Sequence, residues 1–355
     1  PMLMMSEFKF NTVEESRIDS VDLKNLPFGS VFSDHQFQMD FKDGKWQRGV
    51  FGPYGDMSLS PAAMALHYGQ AIFEGMKAFR QPDGSVALFR PMENIRRFNK
   101  SAERMSMAQL DEGLFLNALI ELIKLDEHWV PDGNESSLYI RPFMFASEAH
   151  VGVRPSNEYR FIIFTCPVGA YYKGNVRVKV ETFYTRAAPG GTGYAKAAGN
   201  YAAALQPTAM ARNEGYDQIL WTDAVEHKYI EESGTMNVVF VLDGKLVSPA
   251  VGDTVLSGVT RDSVLRLAAH KGYEIEERKV AVAELKAGAE SGALTEAFGV
   301  GTAATMTPIE AIGFPGGDVA LPPISSWKMM PDLAKSLDDL RRGKGEDPFG
   351  WRVVI

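Results

Sequence analysis

A single lysine, Lys196, stands in the run Gly190-Gly191-Thr192-Gly193-Tyr194-Ala195-Lys196-Ala197-Ala198-Gly199-Asn200-Tyr201, among small residues and with no carboxylate within several positions. An amine hemmed in by backbone is a candidate nucleophile towards an aldehyde. A loop lysine is ordinarily a solvated charge, so other chemistry must decide. In Tyr229-Ile230-Glu231-Glu232-Ser233-Gly234-Thr235-Met236-Asn237 a glutamate pair precedes a turn and an apolar strand. A carboxylate in such a setting can pair with a protonated pyridine nitrogen, turning that ring into an electron sink, or simply close a salt bridge at a strand edge. Gly258-Val259-Thr260 opens a helical pattern, where unpaired N–H groups and the positive dipole end suit a phosphate. Gly299-Val300-Gly301-Thr302-Ala303-Ala304 follows the apolar run Leu294 to Phe298, so a ligand can approach its main chain closely. As a dinucleotide fingerprint that run fails, because its sixth position is not glycine and no ribose-binding acid is placed downstream. Arg97 lies in Asn94-Ile95-Arg96-Arg97-Phe98, on what otherwise reads as a solvated basic helix face.

Hairpins and helices must hold these residues. His35, Phe37, Met39 and Phe41 alternate with Gln36, Gln38 and Asp40, the period of a half-buried strand, and Asp43-Gly44 reads as its turn. The device recurs at Met76 to Arg80, Pro82-Asp83-Gly84 and Val86 to Phe89, and again at Asn237 to Leu242, Asp243-Gly244 and Leu246-Val247. Helical spacing marks Glu93 to Met105, Leu114 to Leu125, Tyr201 to Asn213 and Thr260 to Lys271, the last stopped by Gly272. Without steady βαβ alternation the pattern predicts an α+β fold. The strand Tyr159 to Cys166 is followed by Pro167, Gly169, Lys173 and Gly174, after which Val176 to Tyr184 alternates again. This places a small N-terminal domain at 1–170, a connector at 171–175 and a larger domain at 176–355.

With 355 residues, about two domains are expected. The formal charge, 37 − 45 = −8, has the wrong sign for a chain that wraps a phosphate backbone, so nucleic acid is not an expected partner. Cys166 is the only cysteine, which excludes an internal disulfide and a cysteine-built zinc site; no metal is expected, and a reducing, cytoplasmic compartment fits. The apolar stretch Phe161 to Tyr172 is interrupted by Thr165, Pro167 and Gly169, short of the ~20 residues that span a bilayer, and Met2 to Met5 has no preceding basic region. Neither a membrane span nor a targeting segment is expected.

Taken in order, Phe73-Glu74-Gly75-Met76-Lys77-Ala78-Phe79, Tyr139-Ile140-Arg141-Pro142, Cys166-Pro167-Val168-Gly169-Ala170-Tyr171, Lys196 to Tyr201, Glu232 to Asn237 and Gly299 to Ala303 closely resemble the branched-chain amino-acid aminotransferases of pyridoxal 5′-phosphate (PLP) fold type IV. The resemblance is collinear from about Phe32 to the C-terminal residues. It implies a two-domain fold like that of D-amino-acid aminotransferase, a small N-terminal α/β domain and a larger C-terminal domain with the cofactor at the domain interface. Lys196 would hold PLP covalently and shuttle a proton between Cα and the cofactor's C4′. Glu232 would pair with the pyridine nitrogen and Tyr201 with the phenolic oxygen. Arg97, the N–H groups of Val259 and Thr260, and Thr302 would hold the phosphate, with Thr235 in the same region.

For substrate, the resemblance places Tyr139 at the α-carboxylate, helped by the N–H groups of Thr302 and Ala303. Arg141, two residues along the same strand and so on the same face, would receive the distal carboxylate of glutamate. Tyr68, Phe73 and Val153 would wall the apolar pocket, Val153 from the second subunit of a homodimer. The implied reaction is ping-pong transfer between L-leucine, L-isoleucine or L-valine and 2-oxoglutarate through a pyridoxamine phosphate form. A Cys-x-x-Cys pair that vertebrate members carry is replaced by Ala304 and Thr307, so a thiol switch there is chemically absent. The rival readings are a D-amino-acid aminotransferase or aminodeoxychorismate lyase of the same fold type, and a non-catalytic phosphate or nucleotide binder using the glycine-rich loops.

Overall fold

The computed structural model describes residues 8–170 and 174–355; Met2 to Met5 and residues 171–173 of the expected connector lie outside them. The chain divides into two units, each with its own sheet.

In the first, the strands run in the order Phe8–Phe10, Gly49–Pro53, His35–Lys42, Tyr159–Val168, Ser137–Ala146, Met76–Arg80, Val86–Phe89 and Arg352–Val354, with Lys45–Trp46 beside His35–Lys42 and Ala71–Phe73 beside Ser137–Ala146. The His35–Lys42 alternation is realised: His35, Phe37 and Met39 are buried. Asp43 and Gly44 both take positive φ, 53° and 73°, as a two-residue hairpin turn requires. Two helices, Pro91–Arg104 and Glu112–Leu125, bury Ile95, Phe98, Phe115, Leu119 and Leu122 with Phe37, Met39, Phe161 and Ile163. Each such side chain contributes roughly 1.5 to 3 kcal/mol by leaving water. Along Ser137–Ala146 the alternate residues Leu138, Ile140 and Met144 enter this core, which assigns Tyr139, Arg141, Phe143 and Phe145 to the opposite face of the sheet.

The second unit is a mixed sheet in the order Ile275–Glu277, Lys245–Ser248, Asn237–Leu242, Leu294–Val300, Met306–Phe314, Val176–Val180, Gln218–Thr222, Tyr229–Ser233 and Val280–Ala281. The helix Val259–His270 buries Val264, Leu265, Leu267 and Ala268.

Three details differ from expectation. The strand from Val176 ends at Val180, not Tyr184, because the Glu181 carboxylate captures the N–H groups of Thr182 (2.9 Å) and Phe183 (3.1 Å). The single helix Tyr201 to Asn213 is two, Ala198–Ala203 and Leu205–Asn213. Pro207 has no N–H, and its ring opposes the carbonyl four residues back, at Ala203. Finally, Ala195–Gly199 and Leu340–Ile355 count with the first unit although the expected 176–355 domain included them. The reason is pairing: Arg352–Val354 runs antiparallel to Val86–Phe89, and Ala197 bridges Ile72.

Candidate active site

In the first unit Lys196 is tied by its main chain. Its N–H donates to Ser101 Oγ (2.9 Å), and its carbonyl accepts from Phe73 N–H (3.1 Å). Ala195 and Ala197 are buried in the core, which is why only small residues flank the lysine. Its Nζ lies 4.9 Å from the centre of the Phe73 ring. Phe73 pairs across strands with Phe143, and the Arg141 guanidinium stacks on the same ring at 4.6 Å. Arg141 also donates to Tyr139 Oη (2.7 Å) and to the Glu74 carbonyl (3.0 Å). With the tyrosine oxygen accepting from Arg141, its own O–H points a proton elsewhere. Gly75 makes this possible, since a Cβ there would lie 2.3 Å from Tyr139 Oη.

Arg97 belongs to the same neighbourhood, but its first partner is protein. Glu74 is fully buried and takes two of the five guanidinium N–H donors, from Nε (2.7 Å) and Nη2 (2.8 Å). Burial pushes the Glu74 pKa up, yet the charges of Arg97 and Lys196 and the hydrogen bonds from Arg97 and Asn94 outweigh it and hold the carboxyl below its ordinary range. Tyr68 sits exposed at the end of the short helix Ala65–Tyr68, and Val153 stands 85% exposed on the loop 148–157. Both are more exposed than the Phe73, Tyr139 and Arg141 group, in which Tyr139 is buried and the other two are half-buried. They share a surface, because this loop is bonded to the segment before the helix through Met64 N–H to Glu148 (3.0 Å) and His150 N–H to Ala62 (3.1 Å).

In the second unit Glu232 sits just before a turn in which Ser233 and Met236 exchange both main-chain hydrogen bonds across Gly234 and Thr235. Gly234 has φ of +58°, the reason for a glycine at this point. The Glu232 carboxylate is buried and accepts at Oε2 from Leu256 N–H (2.9 Å) and from Arg186 Nη2 (2.7 Å). The adjacent Glu231 accepts from the Thr254 hydroxyl, and burial raises its pKa. Asn237 follows the turn, pairs with Val300, and anchors the Leu256 carbonyl through Nδ2 (2.9 Å). Its Oδ1 leaves no room at position 258 for anything but glycine: a Cβ would lie 2.0 Å away. Gly258 starts the helix Val259–His270 without a side-chain cap, and the first main-chain bond back to it comes from Asp262. The N–H groups of Val259 and Thr260 therefore precede the helix's own bonding. Gly299 and Gly301 pack on Met236 and lead to Thr302 and Ala303, half-buried at the turn closed by Gly301 N–H to Thr305 (3.1 Å). Glu232, Thr235, Val259, Thr260, Thr302 and Ala303 are thus gathered at one end of this sheet. Tyr201 lies in the helix Ala198–Ala203, whose Asn200 is stapled to the glycine-rich loop by Thr192 (2.7 and 2.9 Å).

Glu74, Arg186 and Asn237 play parts in this geometry that sequence reasoning did not assign to them. For Glu74 the available signal was an acid inside Ile72 to Met76, whose other residues are apolar or glycine; for Arg186 it was a lone cation just before the glycine-rich loop.

A lysine held by its main chain against an aromatic ring, a buried carboxylate and a helix opening elsewhere in the chain are groups a PLP-dependent transaminase would use, and similarity to known proteins shows that class. Residues 71–312 match the amino-transferase class IV model, and the chain belongs to that family, whose members use PLP. Within the class, it is 45% identical over 339 residues to branched-chain-amino-acid transaminase 1 of Bacillus subtilis (strain 168), covering 94% of this chain and 95% of the relative. Among solved structures it resembles the branched-chain aminotransferase of Thermoproteus uzoniensis with norvaline (TM-score 0.73, 25% identity, 89% and 98% of the two chains). It also resembles the branched-chain amino acid aminotransferase from Escherichia coli (TM-score 0.69, 26% identity, 89% and 98%). The two-domain fold type IV expectation holds.

The residues present fit the cofactor. Gly258 is required by its surroundings and opens a helix at main-chain donors, and Arg186 Nε, on the guanidinium whose Nη2 binds Glu232, is a buried donor without a hydrogen-bond partner among the described residues. Among the described residues no group of three or more His, Cys, Asp or Glu side chains is placed to hold a metal, and no helix is long and apolar enough to cross a membrane.

Proposed function

We propose that the chain transfers the amino group between L-leucine, L-isoleucine or L-valine and 2-oxoglutarate, as a cytoplasmic homodimer. The observation that carries the substrate reading is the Arg141 guanidinium placed over the Phe73 ring, 4.6 Å from its centre, and hydrogen-bonded to Tyr139. An apolar wall and a cation side by side are what a site needs to accept both a branched hydrocarbon and a carboxylate, and an unsupported charge on an apolar floor would be costly.

When bound, PLP supplies an aldehyde that captures an amine and a ring that accepts electrons from Cα. Lys196 Nζ holds the cofactor and moves the proton at the substrate's Cα. Glu232 keeps the ring nitrogen protonated, and Tyr201 binds the phenolic oxygen. Arg97, the N–H groups of Val259 and Thr260, and Thr302 take the phosphate, with Thr235 nearby. Tyr139 donates to the α-carboxylate together with the N–H groups of Thr302 and Ala303. Arg141 reads the distal carboxylate, while Tyr68, Phe73 and the Val153 of a second copy enclose the side chain.

The dimer reading is supported by the surface that carries Leu66, Tyr68, Val151 and Val153, all exposed apolar side chains on adjoining segments. The loop that holds the two valines is already braced: Arg154 binds Glu148 at 2.7 and 3.0 Å, and Asn157 N–H binds it at 2.8 Å. The cytoplasmic reading is supported by cysteine usage, since the chain carries one cysteine, Cys166, which is buried, and so has no internal disulfide.

Amino-donor profiling with 2-oxoglutarate tests the whole reading. Leucine, isoleucine and valine of the L series should serve, and D-alanine should not. A D-specific profile, or release of pyruvate from an aminodeoxychorismate-type substrate, would overturn it. A fully active monomer in sedimentation would overturn the dimer.

A further inference from the structure

Glu74 has no part in the roles just described, yet it touches two of the cations that do. Its carboxylate meets Arg97 edge to edge, at 2.7 and 2.8 Å, and Oε2 also accepts from Asn94 Nδ2 (3.0 Å) and Gly75 N–H (3.2 Å). Its carbonyl accepts from Arg141 Nε (3.0 Å), and its own N–H donates to the Pro142 carbonyl (2.8 Å). One residue therefore binds through its side chain the guanidinium assigned to the phosphate, and through its main chain the guanidinium assigned to the distal carboxylate.

The geometry is restrictive. A two-point contact between carboxylate and guanidinium fixes the plane of the arginine as well as its position, which a single contact or a lysine would not do. Arg97 is only 10% exposed along its side chain and Glu74 not at all, so neither has a solvated alternative within reach. Asn94 lies one turn before Arg97 on the same helix and holds the same carboxylate oxygen, so the carboxylate cannot pivot away from the pair. A donor set held in advance binds an anion without spending free energy on its own ordering.

We propose that Glu74 is a positioning residue that aims Arg97 at the cofactor phosphate, so that the affinity drawn from the phosphate depends on a carboxylate that never touches the cofactor. This rests on the reading of Arg97 given above.

The test separates the phosphate from the rest of the cofactor. The cofactor-stripped whole chain is titrated with PLP and with pyridoxal, which has the ring and aldehyde but no phosphate, and the ratio of the two dissociation constants is compared between variants. Glu74→Gln should weaken PLP binding by at least about tenfold, the scale of one charge-assisted hydrogen bond, while pyridoxal changes by less than about twofold. In an Arg97→Met background, Glu74→Gln should reduce the ratio no further, because it acts through the guanidinium. Equal losses for PLP and pyridoxal, an unchanged or tighter PLP constant, or additive losses in the double variant would each overturn the proposal. If Glu74→Gln alone does not fold, the double variant, which removes both buried charges, is compared with Arg97→Met, and a further drop in the ratio overturns it. Should Arg97→Met itself leave the ratio intact, the assignment of Arg97 falls first and the Glu74 proposal with it.

Discussion

The two units present their candidate groups in different ways. In the first, the candidate atoms belong to side chains: the Lys196 amine, the Arg97 and Arg141 guanidinium groups and the Tyr139 hydroxyl, arranged around one buried carboxylate and one aromatic ring. In the second, many of the candidate groups are main chain shaped by glycine, at the turn after Glu232, at the Gly258 helix start and at Gly299 to Ala303. Side-chain groups are placed by tertiary packing and can be exchanged one at a time. Main-chain donors are placed by φ, ψ and close approach, so they fail when a Cβ is added and are untouched when a functional group is swapped.

That contrast can be broken by substitution. Lys196→Ala should reduce steady transamination to background while PLP still binds through its other contacts, read as turnover against cofactor absorbance; near-normal turnover would remove the central assignment. Glu232→Gln should also retain PLP but lose most activity, on the order of a hundredfold or more, since an amide does not hold a proton on the ring nitrogen. Arg141→Met should weaken glutamate and 2-oxoglutarate by about ten- to a hundredfold in single-turnover half-reactions and leave leucine nearly unchanged. Equal losses for both substrates would show that Arg141 serves the α-carboxylate or the strand.

Gly258→Ala sharpens the contrast from the other side. The added carbon collides with Asn237 Oδ1, and overpacking of this kind costs about 1 to 3 kcal/mol, visible as a lower melting temperature together with weaker PLP binding. The smallest effect is expected at Glu148. Hydrogen bonds from Arg154 and from Asn157 N–H lower its pKa from 4.5 to about 2. A depressed folded-state value means that this stabilisation is complete above about pH 4.5 and is lost as the pH falls towards 2. In Glu148→Gln the corresponding part of the acid slope should disappear, so that wild-type and variant stabilities converge on acidification in denaturant titrations at stepped pH.

The sequence disclosed the two halves unequally. Period-2 alternation and the Asp-Gly turns made the strands His35–Lys42, Met76–Arg80 and Asn237–Leu242 readable, because both signals are local. Gly258-Val259-Thr260 was readable as a helix start for the same reason. Why glycine is obligatory there was not, since the obstacle is Asn237, on a strand elsewhere in the chain. Arg186 was missed because its partner Glu232 arrives from a strand more than forty residues away in sequence, and a lone arginine in a loop carries no mark of such a pairing. Glu74 stood inside the run Phe73 to Phe79 but gained meaning only when the helix Pro91–Arg104 brought Asn94 and Arg97 against it. The end of the strand at Val180 depended on one side chain bonding its own neighbours, a competition that alternation of residue types does not record.

The pairing of Arg352–Val354 with Val86–Phe89, continued by Ile355 N–H to the Val86 carbonyl at 2.9 Å, reaches beyond architecture to the order of synthesis. A ribosome releases residues 200–339 before it releases 340–355, so the sheet that holds the earliest residues acquires its last strand only after the other unit has been made. Until then Val86–Phe89 is an open edge with unpaired main-chain groups, the kind of template on which nascent chains join one another. Removing Arg352 to Ile355 should therefore show itself first in the yield of soluble product from the translating cell, where the exposed edge has time to find a neighbour.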